Sequence, residues 1–248
     1  SMDKKNINQY GITKFSKSNM YRDLILRKGW FILNINNYND KVILKECEKL
    51  NHIFIKNKNS IRAPLLSSST FLKFALDIEL INIIKKIDST FYLNQQNLLK
   101  IEKSNFGHID QSRWHRDLPY QDWIPNGIVA FNILSCFSNR ESNHVLDILE
   151  GSHFVVDFPS QESLKNLCTR IYLKKGEYLI MNSFLFHRAP VKNENKYFLM
   201  NQVVSSKIIK QQIPFKKFLK NDNVLGDLIN DNYSYLGINQ KEYEPTFF

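Results

Sequence analysis

The 248-residue sequence predicts a β-sandwich or jelly roll, mainly β with α, in which helices pack on one face. Three observations point there. Helix caps and helical apolar spacing are confined to about the first ninety residues. Short β-like runs separated by turn signals fill most of the rest. Aromatic content of 13%, with 18 Phe and 11 Tyr, suits a β-rich interior. No repeat, low-complexity tract or Pro/Gly/Ser linker divides the chain. The expectation is one domain over residues 1–248, with mostly helical residues 1–90, a core at 91–208 and a C-terminal wrap at 209–248.

In chain order, a short strand is expected at Trp30–Ile35. Asp40 caps a helix running to about Ile53, with Val42, Leu44, Cys47, Leu50 and Ile53 near helical spacing. Ser69 or Thr70 opens a second helix through Ala75, and Ile78–Ile87 forms a third. Strands are then expected at Phe91–Leu93, Leu98–Glu102, Gly127–Leu134, Val145–Leu149, Cys168–Leu173, Tyr178–Asn182, Phe184–His187 and Lys196–Ser205. Lys174-Lys175-Gly176-Glu177 is a tight turn, and Val224–Ile229 a short outer helix.

Composition excludes several function classes. The 8 glycines are too dispersed for a Walker loop or a G-x-G-x-x-G turn. No apolar run is long enough to span a membrane, and the polar start carries no signal-peptide pattern. Cys47, Cys136 and Cys168 form no C-x-x-C, so neither structural zinc nor a disulfide framework is expected. A reducing cytoplasm is the expected location. The net charge of +10 raises nucleic acid as a partner. The lysines are scattered, however, and the densest stretch, Lys207–Lys220, is broken by Ile208, Ile209, Pro214 and Phe215. A small-molecule substrate is expected instead, and the charge permits it to be anionic. Arg113, Arg116 and Arg140 are the candidates to meet it.

The chemistry-bearing residues are histidines. Two H-x-D tripeptides occur, His108-Ile109-Asp110 and His115-Arg116-Asp117. On a strand, residues i and i+2 share a face, so either tripeptide offers an imidazole and a carboxylate to one point. His187, at the end of the apolar run Tyr178–His187, is the natural distal partner. Two His and one carboxylate cover one face of an octahedral metal and leave the other positions open, as in non-haem Fe(II) oxygenases.

Trp114-His115-Arg116-Asp117 resembles the proximal motif of the phytanoyl-CoA dioxygenase family of Fe(II)- and 2-oxoglutarate-dependent oxygenases. Further blocks resemble that family in the same order: Asn126–Asn132, Asn143–His153 with its G-S-H turn, Gly176–Ile180 and His187-Arg188-Ala189-Pro190. Lys28–Ile32 resembles an N-terminal strand of the family. The resemblance implies a double-stranded β-helix, with His115, Asp117 and His187 as iron ligands and catalytic centre. It implies 2-oxoglutarate as cosubstrate, O2 as oxidant, and succinate and CO2 as products. It prefers His115 and Asp117 over His108 and Asp110, and it makes His153 a hydrogen-bonded scaffold residue. His144 stands where the family usually has Gly. Related halogenases lack the carboxylate, so Asp117 implies hydroxylation of a small metabolite or biosynthetic intermediate.

A far carboxylate buried in the barrel needs a cation. The family uses an Arg about eleven residues after the distal His, whereas this chain has Lys196 at plus nine, a point charge in place of a fork. A hairpin two residues shorter gives Lys196 the same inward parity. Arg188 is a second candidate, although alternation points it away from His187. Ala189 replaces a frequent Ser. Further contacts are expected among Gln95, Gln96, Asn97, Lys100 and Lys103, and substrate-lining residues within Pro119–Pro125. The departures at Lys196 and Ala189 leave an alternative: a catalytically silent jelly-roll binding module.

Overall fold

The computed structural model describes residues 20–35, 40–56, 60–101, 113–117, 127–155, 167–189, 196–205, 211–213, 215, 232 and 234–238. Helices α1 (Met20–Arg27), α2 (Asp40–Lys49), α3 (Asn51–Lys56), α4 (Ser69–Ala75) and α5 (Ile78–Ile87) alternate with two strands early in the chain. The strands are β1 (Trp30–Asn34), β2 (Ser60–Arg62), β3 (Phe91–Ile101), β4 (Ala130–Phe137), β5 (Ser142–Ile148), β6 (Thr169–Lys174), β7 (Glu177–Asn182), β8 (His187–Arg188) and β9 (Lys196–Ser205). A six-stranded antiparallel sheet has the order β1-β7-β4-β9-β3-β2, and a smaller sheet has the order β6-β5-β8.

Burial along the strands reveals three layers. Every residue of β4 is buried, so both of its faces are covered. Ile133, Phe131 and Phe137 join Leu80, Ile84, Phe71 and Phe74 in a core between the large sheet and the helices. Leu134 and Cys136 join Val145, Ile148, Leu179 and Phe198 in a second core between the sheets. In β6, by contrast, Ile171 and Leu173 are buried while Arg170, Tyr172 and Lys174 are exposed. Among the described residues, the outer face of the small sheet therefore carries no helix layer.

The local reasons are visible. Asp77 caps α5 by accepting from the Leu80 amide at 2.8 Å, and α5 has the predicted bounds. The single helix that the sequence suggests from Asp40 to Ile53 is two, α2 and α3, meeting at Leu50. Ser68, one residue before the expected cap, precedes α4, and its hydroxyl donates to Glu46 at 2.7 Å. Phe91–Leu93 and Leu98–Glu102 read as two strands in the sequence. The described residues form one strand, β3, with an irregularity at Asn94. Phe184–His187 is not a strand: Asn182 Oδ1 accepts from the Phe184 amide at 3.0 Å and closes a turn that carries the chain from the large sheet to the small one. Val224–Ile229 and most of Lys207–Lys220 lie outside the described residues. Among the described residues there is no disulfide, and no helix is long and apolar enough to cross a membrane.

Gly29 joins α1 to β1 at φ 89°. A Cβ there would lie 2.7 Å from Leu185 Cδ1 and 2.8 Å from His153 Nδ1. The Gly29→Ala variant combines left-handed strain with this crowding, and should lose about 2 kcal/mol or more in urea denaturation.

Candidate metal centre

His115 and His187 are bound to each other through their backbones. Each amide donates to the other's carbonyl at 3.0 Å, an isolated antiparallel bridge that extends the small sheet by one residue. Directly opposed residues present their side chains to the same face, and the two rings stand 4.4 Å apart. Asp117 follows two residues on, held by its amide to Ser183 O at 3.2 Å. One donor atom from each of His115, Asp117 and His187 lies within 4.8 Å of the others. Asp117 Oδ1 is 3.8 Å from His115 Nε2 and 3.6 Å from His187 Nε2. Among the described residues no other group of three such side chains converges.

The ring orientations are fixed from behind. Nδ1 of His115 donates to Arg113 O at 2.8 Å, and Nδ1 of His187 to Leu185 O at 2.9 Å. A carbonyl only accepts, so each Nδ1 carries a hydrogen and each Nε2 faces the centre. His115 Nε2 is buried with no hydrogen-bond partner. Burial, reinforced by the nearby His187, pushes His115 below the ordinary histidine range, so its Nε2 presents a lone pair. Burial alone would lower His187, but the Asp117 carboxylate outweighs it and raises the group. Burial likewise opposes ionisation of Asp117, and the His187 charge overcomes it. The centre thus brings together a carboxylate, an imidazole whose proton affinity that carboxylate raises, and an unsatisfied ring nitrogen on His115. A divalent cation answers all three, so the donor set fits a transition metal with mixed N/O preference.

Asp117 is oriented by residues that the sequence did not single out. Asn132 Nδ2 donates to Asp117 Oδ2, while Asn132 Oδ1 accepts from Ser183 Oγ at 3.1 Å and from Gln202 Nε2 at 3.2 Å. Two donors on its oxygen fix which way the amide points. Oδ2 is thereby occupied, and Oδ1 is left for the centre. The signal was an amide in the otherwise apolar stretch Ala130–Ile133, since a fully buried amide must be partnered. In the Asn132→Ala variant, metal affinity should fall by roughly 10–100-fold, read by titration with Mn(II).

The G-S-H turn supports the strand of His187. Ser152 Oγ accepts from the Phe186 amide at 2.8 Å, and His153 Nε2 is 2.9 Å from Leu26 O, tying the turn to α1. Arg116, a sequence candidate to face substrate, instead lies 3.7 Å over the Phe186 ring and donates to Ser152 O and Val155 O. Arg140 is at the β4–β5 turn, the opposite end of β4 from Asn132. His108, Asp110, Lys103 and Pro119–Pro125 lie outside the described residues.

From the centre, the inner faces of β3 and β9 present a row of opposed side chains that would line a groove. The opposed pairs are Gln95 with Gln202, Asn97 with Met200, Leu99 with Phe198, and Ile101 with Lys196. Gln95, Asn97, Leu99, Ile101 and Met200 are half-buried, whereas Lys196 is only 2% exposed. Gln202, bonded to Asn132, marks the end near the centre, and Lys196 lies six residues along the strand. The lysine ammonium is 5.0 Å from the Phe198 ring centroid and donates to His144 O at 2.8 Å. That contact places it against β5, where Ile148 pairs with His187 and His144 stands four residues away. A bulge takes up one of those residues, so the His144 backbone lies roughly 10 Å along β5 from the residue opposite His187, at about 3.3 Å per residue. A short dicarboxylic acid bound to a metal by one end covers such a span. The groove is polar at one end, apolar in the middle and cationic at the other end.

Of the remaining candidates, Gln96 and Lys100 point to the helix side. Gln96 Nε2 donates to Phe71 O and Asn201 Oδ1, and Lys100 Nζ to Asn51 Oδ1. Arg188 does not reach the groove. Strand alternation puts it on the outer face, where Nε donates to Asp147 Oδ2 at 3.0 Å and the guanidinium lies 5.0 Å over the Trp114 ring.

No protein-family model matches the sequence, and no curated protein matches it either. Solved structures do match. EctD from S. alaskensis, with bound Fe, is 17% identical with a TM-score of 0.58, over 82% of this chain and 83% of that one. HygX from Streptomyces hygroscopicus, with nickel and 2-oxoglutarate bound, is 13% identical with a TM-score of 0.55, over 81% and 91%. SnoN, a non-heme alpha ketoglutarate dependent epimerase from nogalamycin biosynthesis, is 13% identical with a TM-score of 0.57, over 76% and 81%. At these identities the likeness shows the fold. The chain is a jelly roll of antiparallel sheets with helices on one of them, as the sequence predicts.

Proposed function

We propose that the chain is an Fe(II)- and 2-oxoglutarate-dependent dioxygenase, akin to the phytanoyl-CoA dioxygenase group, that hydroxylates a C–H bond of a small metabolite or biosynthetic intermediate. The observation that carries this reading is the single converging cluster, among the described residues, of His115, Asp117 and His187, with its unsatisfied Nε2. The iron and 2-oxoglutarate bound in matching structures support it.

When bound, iron(II) and 2-oxoglutarate supply the oxidant, coupling reduction of O2 to release of succinate and CO2. The chain's own residues do the rest. His115 and His187 bring Nε2 donors whose rings are fixed by the carbonyls of Arg113 and Leu185. Asp117 offers Oδ1 alone, because Asn132 holds Oδ2. The three side chains would therefore hold an ion from one side and leave its other positions to ligands. The groove matches a dicarboxylic keto acid in order: amides of Gln95 and Asn97 near the head, Leu99 and Met200 along the methylenes, and Lys196 for the far carboxylate. Arg188, tied to Asp147, is no element of that anchor.

The test is conversion of 2-oxoglutarate to succinate by protein loaded anaerobically with Fe(II) and then exposed to O2. Succinate that requires Fe(II) and disappears in His115→Ala supports an oxygenase, even where turnover is uncoupled from a primary substrate. Failure both to bind 2-oxoglutarate and to form succinate leaves a jelly-roll binding module.

A further inference from the structure

The outer face of the small sheet carries a chain of polar contacts beneath the ligand row. Trp114 and Arg188 each adjoin a ligand histidine in sequence and stack on each other, 5.0 Å from guanidinium to ring. Arg188 Nε donates to Asp147 Oδ2 at 3.0 Å, and Asp147 Oδ1 is 2.8 Å from His144 Nε2. The His144 ring stacks on Tyr172, with centroids 4.9 Å apart at 24°. His144 and Asp147 are 8% and 5% exposed, although no helix among the described residues covers this face.

Residues three apart on a strand normally face opposite ways. Here the register of β5 against β6 shifts between His144 and Leu146, a bulge that brings His144 and Asp147 onto one face. The side chain of His144 is thereby held outside while its carbonyl accepts from the Lys196 ammonium at the end of the groove. A bulge whose side chain is clamped by a hydrogen bond to Asp147 is held in place, and its carbonyl with it.

We propose that His144 and Asp147 are positioning residues for the far carboxylate of the cosubstrate: the clamped bulge holds the His144 carbonyl, and that carbonyl sets where the Lys196 ammonium stands. This rests on Lys196 as the anchor. A lysine has no planar fork to pre-set its geometry, so a chain that uses Lys needs an external hold on the ammonium. His144 and Asp147 supply it.

The experiment compares the affinities of Mn(II)-loaded protein for 2-oxoglutarate and for pyruvate by calorimetry without O2. Pyruvate shares the keto-acid head and lacks the far carboxylate, so the ratio of the two affinities reads the anchor alone. His144→Ala and Asp147→Asn should each reduce the preference for 2-oxoglutarate about tenfold, leaving the affinities for Mn(II) and pyruvate unchanged. His144→Gln, which keeps a side-chain donor toward Asp147, should restore most of the preference. If both variants lose pyruvate and Mn(II) affinity in step with 2-oxoglutarate, the pair is merely structural and the proposal is overturned. If Lys196→Met reduces the preference while His144→Ala and Asp147→Asn leave it intact, the positioning role fails and the anchor stands. If Lys196→Met also leaves the preference intact, the anchor fails and the positioning role falls with it.

Discussion

Asp117→Asn is expected to weaken divalent-metal binding by about a hundredfold or more and to abolish succinate formation at micromolar iron. Four-ligand zinc sites in small domains bind with roughly 10–16 kcal/mol, or about 3 kcal/mol per ligand. A loss of about 3 kcal/mol is roughly a hundredfold in Kd. The substitution keeps the shape of the side chain and leaves an acceptor for Asn132 Nδ2, so the fold should persist. It removes the charge that raises the proton affinity of His187. Mn(II) titration followed by a urea midpoint separates the two effects: affinity falls sharply while stability changes little. A Kd within about threefold of the wild type, less than 1 kcal/mol, would remove Asp117 from the centre.

Lys196→Met is the second large effect. A methionine of similar length keeps the packing beside Phe198 and removes the charge. Breaking a buried ion pair by deleting one partner costs about 3–5 kcal/mol, which is about two to three and a half orders of magnitude in affinity. The Kd for 2-oxoglutarate should rise by that amount and the Kd for pyruvate should not move. Equal losses for both ligands would mean that the far carboxylate is held elsewhere.

Much of this arrangement is legible in the residues. The H-x-D at 115–117 needs only strand periodicity to place two donors on one face, and His187 needs only a sheet neighbour. The helix at Ile78–Ile87 follows from its apolar spacing. What stays hidden depends on partners distant in sequence. Asn94-Gln95-Gln96-Asn97 looks like a break between strands because four amides resist burial. In the fold they remain in strand, since Gln95 and Asn97 line the groove while Gln96 bonds to Leu65, Phe71 and Asn201. Phe184–His187 reads as a strand because the run Tyr178–His187 is apolar over most of its length. Asn182 ends it by bonding to the Phe184 amide, a local signal masked by the hydrophobicity around it. The parity of Lys196 is readable, but its bond to the His144 carbonyl is not, because that depends on a bulge in another sheet.

Crystals grown without oxygen in the presence of Mn(II) and 2-oxoglutarate give the most direct measurement, anomalous scattering at the manganese edge. The expected result is one peak bonded to His115 Nε2, His187 Nε2 and Asp117 Oδ1, with the keto acid on its open face. A peak elsewhere, or none in crystals soaked with the metal, would contradict the claim that these three side chains hold a single ion.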